Sequence, residues 1–181
     1  MPFEFEKLEI PDVILIKAKK FEDSRGFFAE LYKEDVFSQA GIAPIKQINF
    51  SKSSKGVLRG LHFQLNPYAQ GKIVRVVSGK IFDVAVDLRK NSKTFGQWVG
   101  VCLEREVFNM LYVPEGFAHG FEVLSDIVEF EYLCTQVYAP KYESGIIYND
   151  PSLNIAWNTK NPILSDKDLK LPSFSKNEKY F

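Results

Sequence analysis

The feature that most constrains the fold is a series of short segments in which apolar and polar residues alternate, separated by turns rich in Gly, Pro, Asn and Ser. Alternation with a period of two is typical of strands that bury one face, and many such strands in succession indicate a sandwich or a barrel. The clearest example is Ile81–Leu88, in which Asp83 and Asp87 share one face. If that face lines a barrel, the interior is a polar site.

The same pattern predicts further strands along the chain. They lie at Val13–Lys17, Phe27–Tyr32, Ile45–Lys52, Val57–Gln64, Lys72–Ser78, Trp98–Leu103, Asn109–Val113, Ala118–Val123 and Ile127–Thr135. Lys33–Ala40, which Gly41 follows, is predicted as a short helix, and Ser165 is predicted to begin a second helical turn. Because the sequence contains no internal repeat and no linker, we expect one mainly β domain over residues 1–181. The tail, from about residue 158 to residue 181, should wrap over it.

Length and charge restrict the partners of this chain. Its 181 residues, 45% of them hydrophobic, are enough for one sizeable core and short for two domains. Lys plus Arg equals Asp plus Glu at 23 each, and no basic patch is evident, so we expect no nucleic-acid partner. The N-terminal stretch holds only the short apolar run Val13–Ile16, without the features of a signal peptide or a membrane span. We therefore expect no membrane association and a cytoplasmic location.

The whole sequence contains two histidines, His62 and His119. Each lies near a glycine in a predicted strand or turn, a setting in which a lone histidine is more often a structural residue than a catalytic one. Basic groups lie near His62, namely Arg59 and, at the start of the next strand, Lys72. Strict alternation places Arg59 and His62 on opposite faces, but a bulge at Gly60 would bring both into one mouth.

Several well-known kinds of active site are absent from the sequence. Neither histidine belongs to a His-x-His pair, and Cys102 and Cys134 form no Cys-x-x-Cys pair, so we expect no bound metal. The sequence also lacks a G-x-S-x-G elbow and a dinucleotide-binding glycine fingerprint. What remains is proton transfer by His, Tyr, Lys and Asp, without a cofactor, on a substrate that provides its own electron sink.

A set of motifs runs through the chain in a specific order. They are RGFFAE, QINFSKS, VLRGLHFQ, QGKIVRVVSGKIFDVAVDLR, FGQWVGV, VPEGFAHGF, EFEYLCTQVY and LSDKD. With these motifs the chain, from about Ile10 to Pro172, resembles the dTDP-4-dehydrorhamnose 3,5-epimerase family. The resemblance implies a double-stranded β-helix, which is a cupin-like jelly-roll barrel. It also implies a homodimer in which an N-terminal arm of about residues 1–32 reaches the barrel of the other subunit.

The resemblance further implies roles for particular residues. His62 matches the general base, and Tyr132 matches the general acid on the opposite side of the sugar ring. Asp168 matches the carboxylate that orients the base, and Lys72 matches the cation near the C4 oxygen of the sugar. Asp83 is similar to a carboxylate inside the barrel that supports its neighbours. The positions that hold the nucleotide and the sugar are matched by Arg25, Glu30, Gln47, Asn49, Arg59, His119, Glu143 and Lys167.

The implied substrate is a dTDP-sugar, dTDP-4-dehydro-6-deoxy-D-glucose, whose C4 ketone acidifies the hydrogens at C3 and C5. The implied reaction inverts both carbons through an enolate, without a cofactor, and gives dTDP-4-dehydro-L-rhamnose. Three alternatives stay open, of which only the first would use nearly the same residues, because a ketoisomerase is expected to lack the combination of Tyr132 and LSDKD. They are an epimerase that acts at C3 or C5 alone, a ketoisomerase of a related sugar nucleotide, and a sugar-binding cupin without catalytic activity.

Overall fold

The structure is a computed structural model that describes residues 2–181. Within these residues the chain forms thirteen β-strands, one short α-helix and two 3₁₀ turns. The strands are β1 (Phe3–Lys7), β2 (Ile14–Ala18), β3 (Phe21–Asp23), β4 (Gly26–Phe28), β5 (Gln47–Ser54), β6 (Leu58–Gln64), β7 (Lys72–Ser78), β8 (Lys80–Asp87), β9 (Trp98–Glu104), β10 (Asn109–Val113), β11 (Phe117–Val123), β12 (Ile127–Cys134) and β13 (Glu143–Gly145). The helix α1 spans Glu34–Gln39, and the 3₁₀ turns span Pro140–Tyr142 and Asp168–Lys170.

Two antiparallel sheets build the barrel. The order of strands is β1-β2-β10-β7-β12-β5 in the six-stranded sheet and β13-β6-β11-β8-β9 in the five-stranded sheet. Most neighbours in a sheet are distant in the sequence, which is typical of a jelly roll. Strands β3 and β4 pair separately as a hairpin. The mainly β, cupin-like fold that the sequence predicts is thus confirmed.

Side chains from the inner faces of both sheets form the core between them. On β8, Ile81 and Ala85 belong to this inner core, whereas Val84 and Val86 pack on the outer face of the five-stranded sheet. The alternation predicted for this segment is therefore confirmed. Strand β12 of the opposite sheet directs Phe130 into the same core. The apolar core fills part of the interior and leaves a polar cavity beside it.

Helix α1 and the C-terminal segment cover the outer faces of the sheets. Phe37 of α1 packs on Phe3 and Tyr32 over the six-stranded sheet, with ring centroids 4.9 Å apart in each pair. Phe174 and Tyr180 of the tail stack on each other over the five-stranded sheet. Because the tail covers its outer side, β11 is buried along its whole length. No helix within residues 2–181 is both long and apolar enough to cross a membrane.

Strand positions agree with the sequence pattern to within a few residues except near the N-terminus. The predicted strand Phe27–Tyr32 is wrong beyond Phe28, because β4 pairs only with the short β3 and Tyr32 packs on the helix instead. Strand β1 is an addition to the predicted strands, although Phe3 and Phe5 alternate with glutamates there. It pairs with β2, so this part of the expected arm belongs to the chain's own sheet.

Candidate active site

A polar cavity of about 210 Å³ opens between the two sheets. Strands from both sheets supply its walls, and the irregular segment after β12 supplies its rim. The cavity brings together several side chains that the sequence singled out. They are Arg59, His62, Lys72, His119, Tyr132 and Glu143.

A bulge in β6 places Arg59 and His62 on the same wall of the cavity. The register between β6 and β11 shifts at this point. Gly60 has a φ of 135°, and a Cβ there would lie 2.6 Å from the Cα of Gly120. Only a residue without a side chain allows such a close approach of two strands. The change of phase predicted at Gly60 is confirmed, because Arg59 and His62 both line the cavity.

His62 is hydrogen-bonded to a carboxylate from a distant part of the chain. Its Nε2 lies 2.6 Å from Oδ1 of Asp168, and the backbone N–H of Asp168 donates to Oγ of Ser165. Burial disfavours the charge of Asp168, but the hydrogen bond and the charge of His62 outweigh it and lower the pKa of this carboxyl. In the neutral form of this imidazole, the hydrogen lies on Nε2 opposite the carboxylate, and Nδ1 has the lone pair that can accept a proton.

A second imidazole–carboxylate pair lies deeper in the barrel. The Nε2 atom of His119 lies 2.9 and 3.0 Å from the two carboxylate oxygens of Asp83 on the neighbouring strand, and both residues are buried. Burial raises the pKa of Asp83, and His119 and Lys72 partly oppose this shift. Burial lowers the pKa of Lys72, and Cys134 and Asp83 partly oppose that shift. The charge of Lys72 therefore depends on its buried neighbours.

Tyr132 faces the cavity from the six-stranded sheet, whereas His62 faces it from the five-stranded sheet. The hydroxyl of Tyr132 lies 3.2 Å from Oγ of Ser51 on β5. Burial raises the pKa of Tyr132 to about 12, although the hydrogen bond with Ser51 and the charge of Arg59 act in the opposite direction. The phenol therefore keeps its proton at neutral pH and can donate it. An edge contact with Phe130 holds the ring.

The rim of the cavity combines an aromatic ring with an ion pair. The hydroxyl of Tyr138 donates to Oε2 of Glu143 at 2.7 Å, and Nζ of Lys167 lies 2.5 Å from Oε1 of the same carboxylate. Burial favours the neutral acid, but these two partners outweigh it and lower the pKa of Glu143. The side chain of Tyr138 remains about half exposed. It therefore leaves an aromatic surface at the cavity mouth.

Of the remaining predicted residues, some line the cavity and others lie outside it. Asn49 and Arg59 line the cavity. Gln47 lies beside them, but its side chain is bonded to Asn49 and to the backbone of the rim. Arg25 and Glu30 are not among the residues that line the cavity of their own chain. The side chain of Arg25, in the β3–β4 hairpin, is 87% exposed.

Gln64, Gln70 and Tyr138 line the cavity but are absent from the predicted set. The same holds for Phe63, Phe121 and Cys134. Both glutamines lie within motifs of the sequence, but a neutral amide gives no acid–base signal. Tyr138 lies in an irregular segment, where periodicity is uninformative. Tyr138 ends the motif EFEYLCTQVY, and this motif was the signal that could have revealed it.

The arrangement suits proton transfer on two sides of one bound molecule. A histidine with a free lone pair and a protonated phenol face one cavity from opposite sheets, and a lysine lies on the sheet of the phenol. Among residues 2–181, no group of three or more His, Cys, Asp or Glu side chains is arranged to hold a metal ion. Acid, base and cation can all be supplied by side chains of the chain itself.

The chain is similar to known proteins in sequence and in structure. The family model described as dTDP-4-dehydrorhamnose 3,5-epimerase matches residues 7–176. The chain is 55% identical over 170 residues to the dTDP-4-dehydrorhamnose 3,5-epimerase of Shigella flexneri, covering 93% of this chain and 94% of the relative. The crystal structure of the Elizabethkingia anophelis enzyme of the same name superposes with a TM-score of 0.94 at 43% identity, covering 99% of this chain and 100% of that one.

A related crystal structure contains a sugar nucleotide. It is the Legionella pneumophila dTDP-6-deoxy-D-glucose-3,5-epimerase in complex with dTDP-4-keto-L-rhamnose. It superposes with a TM-score of 0.89 at 42% identity, and the match covers 96% of this chain and 99% of that one. On these matches, which span nearly the whole sequence, the chain belongs to the dTDP-4-dehydrorhamnose 3,5-epimerase family.

Proposed function

We propose that this protein inverts C3 and C5 of dTDP-4-dehydro-6-deoxy-D-glucose to give dTDP-4-dehydro-L-rhamnose. The observation that carries the proposal is the placement of His62, with its buried partner Asp168, on the wall opposite the protonated phenol of Tyr132. Inversion at carbon requires a proton to leave one face and another to arrive on the opposite face. A base and an acid on opposite walls meet that requirement.

The first step is removal of a proton from the carbon next to the C4 ketone. Nδ1 of His62 accepts this proton, and the electron pair of the C–H bond moves onto the ketone oxygen as an enolate forms. The carboxylate of Asp168 stabilises the resulting imidazolium and holds the ring in place. One base can serve C3 and C5 in turn because both carbons flank the same ketone.

Lys72 is suited to stabilise the enolate. It lies on β7, next to the strand that carries Tyr132, and lines the cavity. In a site with little water, a cation near the oxygen that gains charge typically contributes a few kcal/mol to transition-state stabilisation. The electron sink is the substrate's own ketone, so the proposed reaction needs no cofactor and no metal.

Tyr132 completes each inversion. Its pKa of about 12 keeps the phenol protonated, so it can deliver a proton to the face of the enolate opposite His62. The phenolate that forms can regain a proton from solvent before the next step. The nucleotide lies toward the rim in this proposal, where the exposed ring of Tyr138 can stack on a base.

The proposed active form is a homodimer in the cytoplasm. Strand β5 lies at an edge of the six-stranded sheet and exposes Ile48 and Phe50. Phe27 and Phe28 are exposed on the hairpin that carries Arg25. Exposed apolar side chains of this size support an interface with a second copy, through which the hairpin would bring Arg25 to the rim of the other cavity. Sedimentation of the purified protein at micromolar concentration measures whether it is a dimer.

Reaction in heavy water tests the proposed function. The wild-type protein, incubated with dTDP-4-dehydro-6-deoxy-D-glucose in D₂O, should place deuterium at both C3 and C5 and yield the inverted sugar. Tyr132→Phe keeps the base but loses the acid, so deuterium should enter with retention faster than inverted product accumulates. NMR of the sugar distinguishes the two products.

Tyr148→Phe is a matched control, because Tyr148 lies outside the cavity. It should behave as the wild type does. Deuterium at only one of the two carbons would instead indicate an epimerase that acts at that carbon alone. Absence of exchange in the wild type would exclude the proposed function and leave a sugar-binding protein.

A further inference from the structure

Three glutamine side chains hold one short stretch of backbone at the cavity rim. The stretch is Gln136–Ala139, which follows β12. Gln47 begins β5, Gln64 ends β6, and Gln70 lies just before β7. The three strands belong to two different sheets, so side chains from separate parts of the barrel converge on the same rim segment.

Gln64 makes the largest number of these bonds. Its Oε1 accepts from the backbone N–H of Ala139 at 2.8 Å, and its Nε2 donates to the backbone oxygen of Val137 at 3.2 Å. The same Nε2 donates to the backbone oxygen of Tyr68 at 2.8 Å. The side chain is buried, so its polar groups would be costly to leave without partners.

The two other glutamines hold the neighbouring residues of the segment. The backbone N–H of Tyr138 donates to Oε1 of Gln47 at 2.8 Å. Nε2 of Gln70 donates to the backbone oxygen of Gln136 in a short hydrogen bond. Together with Gln64, these contacts give each of four consecutive residues a backbone bond to a glutamine side chain.

Outside these bonds, the segment is held mainly by the hydrogen bond of Tyr138 to Glu143 and by a turn in which the N–H of Tyr142 donates to the backbone oxygen of Ala139. It forms no strand or helix, and the side chains of Val137 and Tyr138 are exposed. Irregular backbone must find hydrogen-bond partners outside a ladder, and here amide side chains supply them. Because little apolar surface is buried, the position of the Tyr138 ring depends on these bonds together with the hydrogen bond of its hydroxyl to Glu143.

We propose that Gln64 and Gln70 are positioning residues, which fix the rim segment and so set affinity for the nucleotide half of the substrate without taking part in proton transfer. The kinetic part rests on the proposed function. His62 and Tyr132 are anchored elsewhere, by Asp168 and Ser51, so they do not depend on this segment. Gln47 is left out of the test because the family resemblance also assigns it to the substrate.

Hydrogen exchange measures, without any substrate, how firmly the glutamine side chains hold the rim segment. In the wild type, the amide hydrogens of Tyr138 and Ala139 should exchange slowly, since glutamine oxygens accept both. Gln64→Met keeps the length of the side chain and removes its amide, so the peptide that covers the segment should exchange about tenfold faster. Gln70→Met should have a smaller effect, and it provides a second test if Gln64→Met does not fold.

Kinetics and binding measure the consequence for function. Gln64→Met should raise KM and the Kd for dTDP alone about tenfold while kcat stays within about twofold. Gln70→Met should change the same quantities in the same direction by a smaller factor. Gln97→Met is the matched control: this exposed glutamine lies outside the cavity, and exchange, KM and kcat should all remain at wild-type values.

These experiments test the positioning role of Gln64 and Gln70 separately from the proposed epimerase function. If hydrogen exchange of the rim segment were unchanged in both Gln64→Met and Gln70→Met, the glutamines would not hold the segment. Faster exchange with unchanged dTDP affinity would overturn their positioning role, and a fall in kcat at constant KM would place the glutamines in the chemistry instead. The wild-type protein could also bind dTDP without epimerising the sugar, while hydrogen exchange and dTDP affinity change in the variants as expected. That outcome would refute the proposed function and leave the positioning role of the glutamines intact.

Discussion

The barrel contains two imidazole–carboxylate pairs with the same chemical groups and different surroundings. In the first pair the His62 side chain is 30% exposed toward the cavity, and Asp168 comes from the C-terminal segment. In the second pair the His119 side chain is only 4% exposed, and Asp83 comes from the adjacent strand. The distances are similar, 2.6 Å in the first pair and at least 2.9 Å in the second.

The surroundings decide what each pair can do. Hydrogen bonds lower the pKa of Asp168 in spite of burial, so this carboxylate keeps its charge and can stabilise a protonated His62. Burial raises the pKa of Asp83, and the opposing effects of His119 and Lys72 do not cancel this shift. The first pair is therefore suited to exchange protons with a substrate, and the second to fix the charge and orientation of groups behind it.

The largest expected effect is that of His62→Ala. Loss of the base should lower epimerisation about 10³-fold or more and abolish deuterium entry at C3 and C5 in heavy water. His119→Ala should weaken substrate binding while deuterium entry remains measurable. If His119→Ala abolished exchange and His62→Ala preserved it, the roles of the two pairs would be reversed.

An intermediate effect is expected for Asp168→Asn. The amide keeps the shape but loses the charge that stabilises the imidazolium, so kcat should fall about 100-fold. Asp150→Asn is the control, because Asp150 is also a buried carboxylate and accepts backbone bonds far from the cavity. It should lower the midpoint of thermal unfolding without a comparable change in kcat, and equal loss of kcat in both variants would remove the special role of Asp168.

The pKa shift of Asp168 also predicts a pH dependence of stability. Its pKa is lowered on folding, so its stabilising contribution is present above the ordinary value of 3.8 and is lost as pH falls through the folded value. Urea unfolding at pH 3 and at pH 7 should therefore differ less in Asp168→Asn than in the wild type.

The smallest effect is expected for Asp83→Asn. The variant retains an oxygen that can accept from His119, so kcat at neutral pH should fall only about tenfold. Asp83 raises the pKa of Lys72, and removing its charge should therefore shift the alkaline limb of the kcat profile to lower pH. Asp87→Asn, on the same face of β8, should destabilise the fold and leave that limb in place. An unmoved limb in Asp83→Asn would exclude the proposed coupling to Lys72.

Local periodicity predicted the parts of this molecule that depend on neighbouring residues. The alternation in β8 correctly assigned Asp83 and Asp87 to one face, and the glycine in VLRGLHFQ correctly located the bulge. The two carboxylates nevertheless have different surroundings. Asp83 contacts His119, whereas Asp87 is bonded to Arg89 and to hydroxyls of the following turn.

Local sequence patterns could not predict the contacts between distant parts of the chain. The residues of the His62–Asp168 pair are 106 positions apart, and family resemblance rather than spacing suggested their pairing. The glutamines at the rim bind backbone atoms, which every residue possesses, so the motifs that contain them did not indicate which atoms they contact. Strand β13 is three residues long and joins the sheet by backbone pairing to β6, with too few side chains for a period to be detected.

The late position of Asp168 in the chain has a consequence for biosynthesis. A ribosome makes all thirteen strands before it adds the 3₁₀ turn that carries this carboxylate. All residues of the strands, His62 among them, are therefore synthesised before the partner of that histidine exists. In the proposed mechanism, proton abstraction by His62 is efficient only once the segment that carries Asp168 has docked, so the proposed activity depends on a part of the chain that is made after the last strand.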